Sequence, residues 1–302
     1  MASKSLTKNL IILHLTVFVW GFTGILGKLI SINAIALVWY RVLIAFITLF
    51  IYFKASKTII KVSRNTFLKL FFTGAIVGLH WVLFFQSIKL STVSVALVCL
   101  SSLTLFTALL EPLFNRKKVN SLDVLTGALI IVGITLIFNF ESQYKLGIIS
   151  GLCSALSASI FSIINSKQIK NRSAPIISFY ELAGAWVWIS IYIFSTDGFR
   201  NLNIPNPTDS IYLLILGILC TAVAYVAGVS VMKDLSAFKV ALITNLEPVY
   251  GIILAFIFFG KKEQMTGGFY LGAILVLVSI FMHPLLQKYV EKRKNVKQIQ
   301  IE

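Results

Sequence analysis

Ten times along this chain, a stretch of about 20 mostly apolar residues runs between short polar breaks. Twenty residues of helix, rising about 1.5 Å each, match the roughly 30 Å of hydrocarbon in a bilayer. The stretches are 10–30, 34–53, 67–86, 90–110, 124–140, 147–165, 176–194, 211–232, 238–259 and 267–286. None alternates polar and apolar residues as a barrel strand does. The expected fold is therefore all-α and integral to the membrane, with ten transmembrane helices. Composition agrees: 58% of residues are hydrophobic and 13% charged, and mean hydropathy is +0.90. Soluble domains are about half apolar and a quarter charged, and a soluble core of this length could not hide so much apolar surface. A cytosolic enzyme, a secreted domain and a disordered chain are excluded. The longest connection, 195–210, is a polar stretch with Pro205 and Pro207, too short to be a domain. Any chemistry must sit inside the bilayer or at its edges.

The net charge of +16 could suggest a nucleic-acid partner, but its distribution points elsewhere. With the N-terminus placed in the cytoplasm, twenty Lys and Arg fall in cytoplasmic segments and five outside. Lys28 and Arg41 lie within spans and complete the 27. Basic residues concentrate in cytoplasmic loops, so both termini are expected in the cytoplasm and no nucleic acid is expected as partner. The first apolar run is too long for a signal segment, and no small-residue cleavage site follows it, so it reads as a retained span. The end, 287–302, reads as a short solvated basic tail. Cys99, Cys153 and Cys220 each sit inside an apolar run. They give neither a disulfide framework nor a metal spacing and read as small buried hydrophobes.

The two halves resemble each other. Val95-Ala96-Leu97 recurs as Val240-Ala241-Leu242. At the same offset Leu109 meets Leu254, Lys117 meets Lys262, and Gly127-Ala128 meets Gly272-Ala273. Chance matching of apolar residues is the alternative, but the shared Gly-Ala and Lys positions and the matching span boundaries favour duplication. The repeats are then 1–146 and 147–302. Each holds five spans, and five is odd, so the second must cross the membrane inverted relative to the first. Inverted repeats around a midplane site are a transporter architecture.

On these residues the chain resembles the drug/metabolite transporter superfamily, specifically the EamA-type permeases. The similarity covers nearly the whole chain. It rests on Trp20-Gly21 in the first span, Trp39-Tyr40-Arg41-Val42-Leu43-Ile44-Ala45 in the second, and Asn245-Leu246-Glu247-Pro248-Val249 in the ninth. Gly260-Lys261-Lys262-Glu263 and Gly267 follow. The first repeat departs from the pattern: Ser101-Ser102-Leu103 stands where the family often has a proline like Pro248, and Glu111-Pro112 comes later. The resemblance implies a cavity lined by spans 1, 3, 4, 6, 8 and 9 and, often, export of small metabolites such as amino acids.

Ionisable and polar groups inside hydrocarbon are costly and mark function by default. Glu247 falls near mid-depth of the ninth span, beside Pro248, which removes a backbone donor, and near Gly251, which adds flexibility. A partly unwound segment carrying a carboxylate suits substrate or proton binding. A structural glutamate beside a kink is the alternative. Asn245 suits a ligand hydrogen bond or a bond between helices. Ser102 is the equivalent of Glu247 in the first repeat, where helix packing competes with ligand contact. His80 can change charge near neutral pH, Trp81 can stack on a ligand, and Trp20 lies too deep for an interfacial belt. Tyr225 completes the candidate substrate-binding set, each against a packing alternative. Lys28, Arg41, Glu181, Pro248 and Gly251 read as gating or structural residues. Arg41 and Glu181 enter their spans from opposite faces, so contact between them is not expected.

The expected function is a secondary-active permease or exporter of small organic metabolites working by alternating access. No ATP-binding Gly-x-x-x-x-Gly-Lys segment is present, so substrate or proton gradients would supply the energy. No cofactor, metal or catalytic residue is expected, and the location is a cell membrane, such as a bacterial inner membrane. The competing reading is an integral-membrane enzyme acting on lipid or peptide. It would need a nucleophile–base set or metal cluster that three histidines without a His-Glu-x-x-His pattern do not offer.

Overall fold

The structure, a computed structural model, describes residues 2–116, 121–196, 199–200 and 202–299. Lys117 and Lys118, counted in the charge bias, lie outside these residues. The described chain is helical throughout and contains no strand: α1 (Ala2–Leu29), α2 (Ala34–Ser56), α3 (Arg64–Leu90), α4 (Val93–Leu100), α5 (Leu103–Phe114), α6 (Ser121–Phe140), α7 (Lys145–Gln168), α8 (Ala174–Thr196), α9 (Pro207–Gly217), α10 (Ala224–Val231), α11 (Ala237–Thr244), α12 (Leu246–Phe259) and α13 (Gly267–Ile299). A π-helical stretch, Ile218–Val223, joins α9 to α10. Nine helical spans among the described residues are long and apolar enough to cross a membrane, with α4–α5, α9–α10 and α11–α12 each acting as one interrupted span. The apolar part of α6, Leu125–Phe140, is shorter.

Local chemistry sets the helix starts. Asn33, Ser63, Thr92, Asn206 and Ser236 each accept a hydrogen bond from a backbone N–H in the first turn of the helix they precede, satisfying donors that have no intrahelical partner. Carboxylates add to the starts of α4 and α11 and complete that of α13. Glu263 accepts from Val93 N at 3.1 Å and Ser94 N at 3.0 Å, Glu111 from Phe238 N at 2.9 Å, and Glu141 from Thr266 N at 2.9 Å. The expected C-terminal tail is instead helical: α13 continues to Ile299, because no glycine or proline after Pro284 interrupts its run of strong helix formers.

The burial pattern is that of a membrane protein. Leu15, Ile51, Phe72, Phe194, Phe256 and Ile274 are all exposed, while Arg41, Asn165, Glu181 and Asn245 are buried. Large apolar side chains on the outside are at home only against an apolar solvent.

The packing is symmetric under exchange of the halves. α3 lies along α7 as α10 lies along α1. α12 lies on α1 as α4 and α5 lie on α7, and α3 packs on α8 as α9 packs on α2. Equivalent helices meet antiparallel. Gly133 of α6 faces Gly272 and Val276 of α13, while Phe140 faces Gly268. A Cβ on Gly133 would stand 2.9 Å from the Gly272 carbonyl, and one on Gly272 2.6 Å from the Gly133 carbonyl, so only glycine permits this approach. In the fourth and ninth spans, Thr104 meets Asn245 and Glu111 meets Phe238. Antiparallel pairing of equivalents puts the relating axis across the helices, the inverted arrangement. In the second pairing its midpoint falls at Ser102 and Glu247.

Both of these axial spans are interrupted at matching places, α4–α5 at Ser101-Ser102 and α11–α12 at Asn245. The causes differ. Pro248 has no N–H to give the Thr244 carbonyl. In the first repeat, which lacks that proline, the serine hydroxyls donate to the Leu97 carbonyl at 3.2 Å and the Cys99 carbonyl at 2.6 Å and compete with the backbone ladder.

Candidate functional site

The interrupted spans, with α1, α2, α3, α7 and α10, surround a cavity enclosing about 780 Å³ of empty space, its mouth included. The cavity is off-centre. On the face carrying the N-terminus its lining reaches Met232, Val240 and Ala241, at the end of α10 and the first turn of α11. Towards the other face it stops at Thr23, Arg41, Phe84 and Leu100, well short of the helix ends. Beyond that limit the halves are tied together. Asp209 accepts from Ser31 N at 2.9 Å and Ser31 Oγ at 2.5 Å, Glu263 caps α4, and Asn33 donates to Asn203 at 2.7 Å.

Five of the seven candidate substrate-binding residues line this cavity: Trp20, His80, Trp81, Tyr225 and Glu247. Glu247 sits in the first turn of α12, immediately past the break, and makes no hydrogen bond to the described protein. Trp20 packs against α10, where a Cβ on Gly228 would come within 2.7 Å of its ring. His80 is turned towards α7. Its Nδ1 is 3.0 Å from the Ser154 carbonyl, an obligate acceptor, so in the neutral ring Nδ1 carries the proton and Nε2 is an acceptor. Ser154 Oγ in turn donates to the His80 carbonyl at 2.9 Å. Tyr225 packs edge-on to Trp81, centroids 5.5 Å apart, and to Phe161 at 6.1 Å. Its hydroxyl donates to Glu181 Oε2 at 2.7 Å, and Asn165 Nδ2 donates to the same carboxylate oxygen at 3.1 Å.

Ser102 and Asn245 do not line the cavity. Ser102 is wholly buried, bonded within its own turn. Asn245 Nδ2 donates to Thr104 Oγ1 and to the Ala241 carbonyl, tying the two broken spans together. Glu181 lies behind Tyr225 rather than at the wall. Pro248 and Gly251 are buried in α12, where a Cβ on Gly251 would come within 2.3 Å of Leu97. Lys28 reaches the Ser91 carbonyl at 3.4 Å on the sealed side. Of the cysteines, Cys99 and Cys220 are buried, but Cys153 is exposed.

Arg41 is the residue whose place is not apparent in the sequence. Only 1% exposed, it lies on the cavity wall, its guanidinium carbon 4.4 Å from the Trp81 ring centre and 5.3 Å from that of Phe85. Arg41 Nε donates to Thr221 Oγ1 at 2.5 Å, and Thr221, in the π-helical stretch, itself donates to the Leu216 carbonyl of α9 at 2.6 Å. Phe161, Thr23 and Thr244 also line the wall. They are single uncharged residues in apolar spans, and no sequence signal separates them from packing residues.

One family model, that of the EamA-like transporter family, matches the chain twice, over residues 7–139 and 145–283. The chain belongs to the EamA-like transporter family. It is a multi-pass membrane transporter by that membership, and its halves are the family's repeated unit. An uncharacterised transporter of Bacillus subtilis, YxxF, is 25% identical over 88% of this chain and 86% of its own length. An uncharacterised transporter of Archaeoglobus fulgidus is 22% identical over 91% and 97%. One from Synechocystis is 26% identical over 59% of this chain, which spans 53% of that relative's length. A solved crystal structure superposes with a TM-score of 0.68 at 13% identity, covering 93% of this chain and 98% of that one, which supports the fold alone.

Proposed function

We propose that this EamA-family protein is a secondary-active permease for small organic metabolites, amino acids or related compounds foremost, working by alternating access between two inverted five-span repeats. The observation that carries the reading is the off-centre cavity: its lining runs to the helix ends at one face, stops well short of them at the other, and includes the axis that exchanges the halves. If each half can take the other's conformation, the same solute pocket opens to the opposite face. The interruptions at Ser101-Ser102 and Asn245 supply joints on that axis, where the outer parts of two spans can swing without dragging the inner parts.

In this reading Trp20, His80, Trp81, Tyr225 and Glu247 contact the solute, while Ser102 and Asn245 hold the joints. Lys28, Glu181, Pro248 and Gly251 serve gating or packing. Ten spans place both termini on one side, and the Lys and Arg bias makes that side the cytoplasm. The membrane is then the cell membrane, bacterial inner membrane by the same reading, and the conformation is inward-facing. The direction suggested by the family resemblance is export. Protons are the candidate coupling ion, with Glu247 the carboxylate best placed to carry one. The decisive assay is counterflow in proteoliposomes. Vesicles loaded with an unlabelled amino acid should accumulate the labelled form saturably and without ATP. Ohmic, non-saturating flux would indicate a channel instead, and turnover of lipid or peptide an enzyme.

A further inference from the structure

We propose that the groove at the C-terminal end of α2 binds an anionic phospholipid, with the phosphate held by Lys54, Lys57 and Lys61 and an acyl chain lying along the outer side of α2. Phe50, Phe53 and Ile59 line the groove together with these lysines, and it shares no lining residue with the solute cavity. Local chemistry builds it. α2 is closed by Lys57, which adopts the left-handed conformation (φ 51°, ψ 28°). The N–H groups of Lys57 and Thr58 donate back to the Lys54 and Phe53 carbonyls at 3.4 and 3.2 Å, so the chain turns over the last turn of α2. The connection that follows is held from behind by α8. Tyr180 donates to the Ile60 carbonyl at 2.7 Å, and Phe53 packs edge-on against Phe179, centroids 5.4 Å apart. The groove is thus part of the packed structure.

Charge, depth and apolar surface point to the same occupant. Among the described residues, the ammonium groups of Lys54, Lys57 and Lys61 make no hydrogen bond and no ion pair, and the chain carries no acidic residue before Glu111. Like charges gathered in one groove repel, so an anion between them relieves a cost as well as forming charge-assisted bonds. Lys54 lies about 20 residues beyond the start of α2, about 30 Å of helix, which is the thickness of the hydrocarbon. The lysines therefore stand at the level of lipid phosphates. Beneath them runs an apolar track. Ile47, Phe50 and Ile51 are exposed on the side of α2 that carries Lys54, and the Lys54 Nζ is 5.6 Å from the Phe50 ring centre. Ile59, at the groove itself, is 80% exposed. Cations above an apolar track match, in order, the phosphate and the chain of a lipid, and basic clusters at the ends of spans attract anionic head groups. Inorganic phosphate, an acidic peptide or a nucleic acid would use the lysines and leave the track uncovered.

The test uses purified full-length protein, stripped of lipid in detergent, and three probes: phosphatidylglycerol, phosphatidylcholine with the same acyl chains, and inorganic phosphate. Binding is read by thermal shift and by the lipid retained in native mass spectrometry, so the outcome does not depend on the permease reading. Phosphatidylglycerol should bind about ten- to hundredfold more tightly than phosphatidylcholine, the difference expected for three lysines around one anionic head group. Inorganic phosphate at the same concentration should give no shift. The combined exchange Lys54→Gln, Lys57→Gln and Lys61→Gln should bring phosphatidylglycerol down to the level of phosphatidylcholine. Each single exchange should lose part of the preference, which keeps the test available should the triple variant not fold. A control carrying Lys170→Gln, Lys233→Gln and Lys239→Gln loses three other exposed lysines and should keep the preference. Equal binding of the two lipids by the native protein, a preference that survives the triple exchange, or an equal loss in the control would overturn the site. A shift with inorganic phosphate as large as that with phosphatidylglycerol would make the occupant a soluble anion and overturn the lipid.

Discussion

Tyr225 stands between the cavity and Glu181, with its ring forming wall and its hydroxyl forming a buried bond. Tyr225→Phe keeps the wall and deletes the hydroxyl's two bonds, the one it donates to Glu181 and the one it accepts from Asn165, leaving Glu181 Oε2 with Asn165 alone. The expected result is a loss of about 1 kcal/mol of stability, read as a lower melting temperature, with solute affinity nearly unchanged. A loss of affinity without a loss of stability would move Tyr225's hydroxyl into the binding contacts. Glu247 carries the opposite expectation. It has no hydrogen bond to lose, so Glu247→Gln should fold normally while abolishing pH-driven, concentrative transport in proteoliposomes. Unchanged proton-driven accumulation in that variant would remove Glu247 as the proton carrier. Chemistry that stands out in an apolar span picks out Trp20, His80, Trp81 and Glu247, all of which line the cavity. Arg41 was equally conspicuous, but position along a span fixes depth and not direction. Which way a side chain faces depends on the neighbouring helices.

At the scale of elements, the matched interruptions carry the argument. The break in the ninth span was legible, because proline removes a donor in any context. The break in the fourth was not, because two serines more often pack helices than bend them, and only the observed bonds to the Leu97 and Cys99 carbonyls distinguish the cases. Pro248→Ala should restore the backbone bond to the Thr244 carbonyl. The expected outcome is a higher melting temperature together with slower counterflow, and an equally fast, more stable protein would show that the joint is not used. The caps at the sealed face belong to the same scale. Glu263→Ala removes three bonds to the start of α4, a loss of about 1 to 2 kcal/mol for a helix cap. It should weaken the seal, raising thiol-reagent access from that face to a cysteine placed at Leu100. Unchanged access would assign the cap to folding alone.

For the whole molecule, hydropathy and an odd number of spans per repeat were enough to anticipate an inverted pair of bundles. The repeat offset pairs Ser102 with Glu247, and the contacts between the fourth and ninth spans place that pair at the axis. The conformation was not legible: a sequence shared by two halves describes both end states equally, and only the three-dimensional contacts say which face is sealed. Those contacts also provide the most direct test of alternating access. Ser31 and Asp209 touch across the repeats at the sealed face and must part if the cavity is to open there. In protein carrying Cys153→Ser, to remove the exposed native thiol, the pair Ser31→Cys and Asp209→Cys can be bridged by oxidation and released by reduction. The account expects the bridged protein to keep its solute-induced thermal shift and lose counterflow, with flux returning on reduction. Bridged protein that carries solute as fast as the reduced form would contradict it.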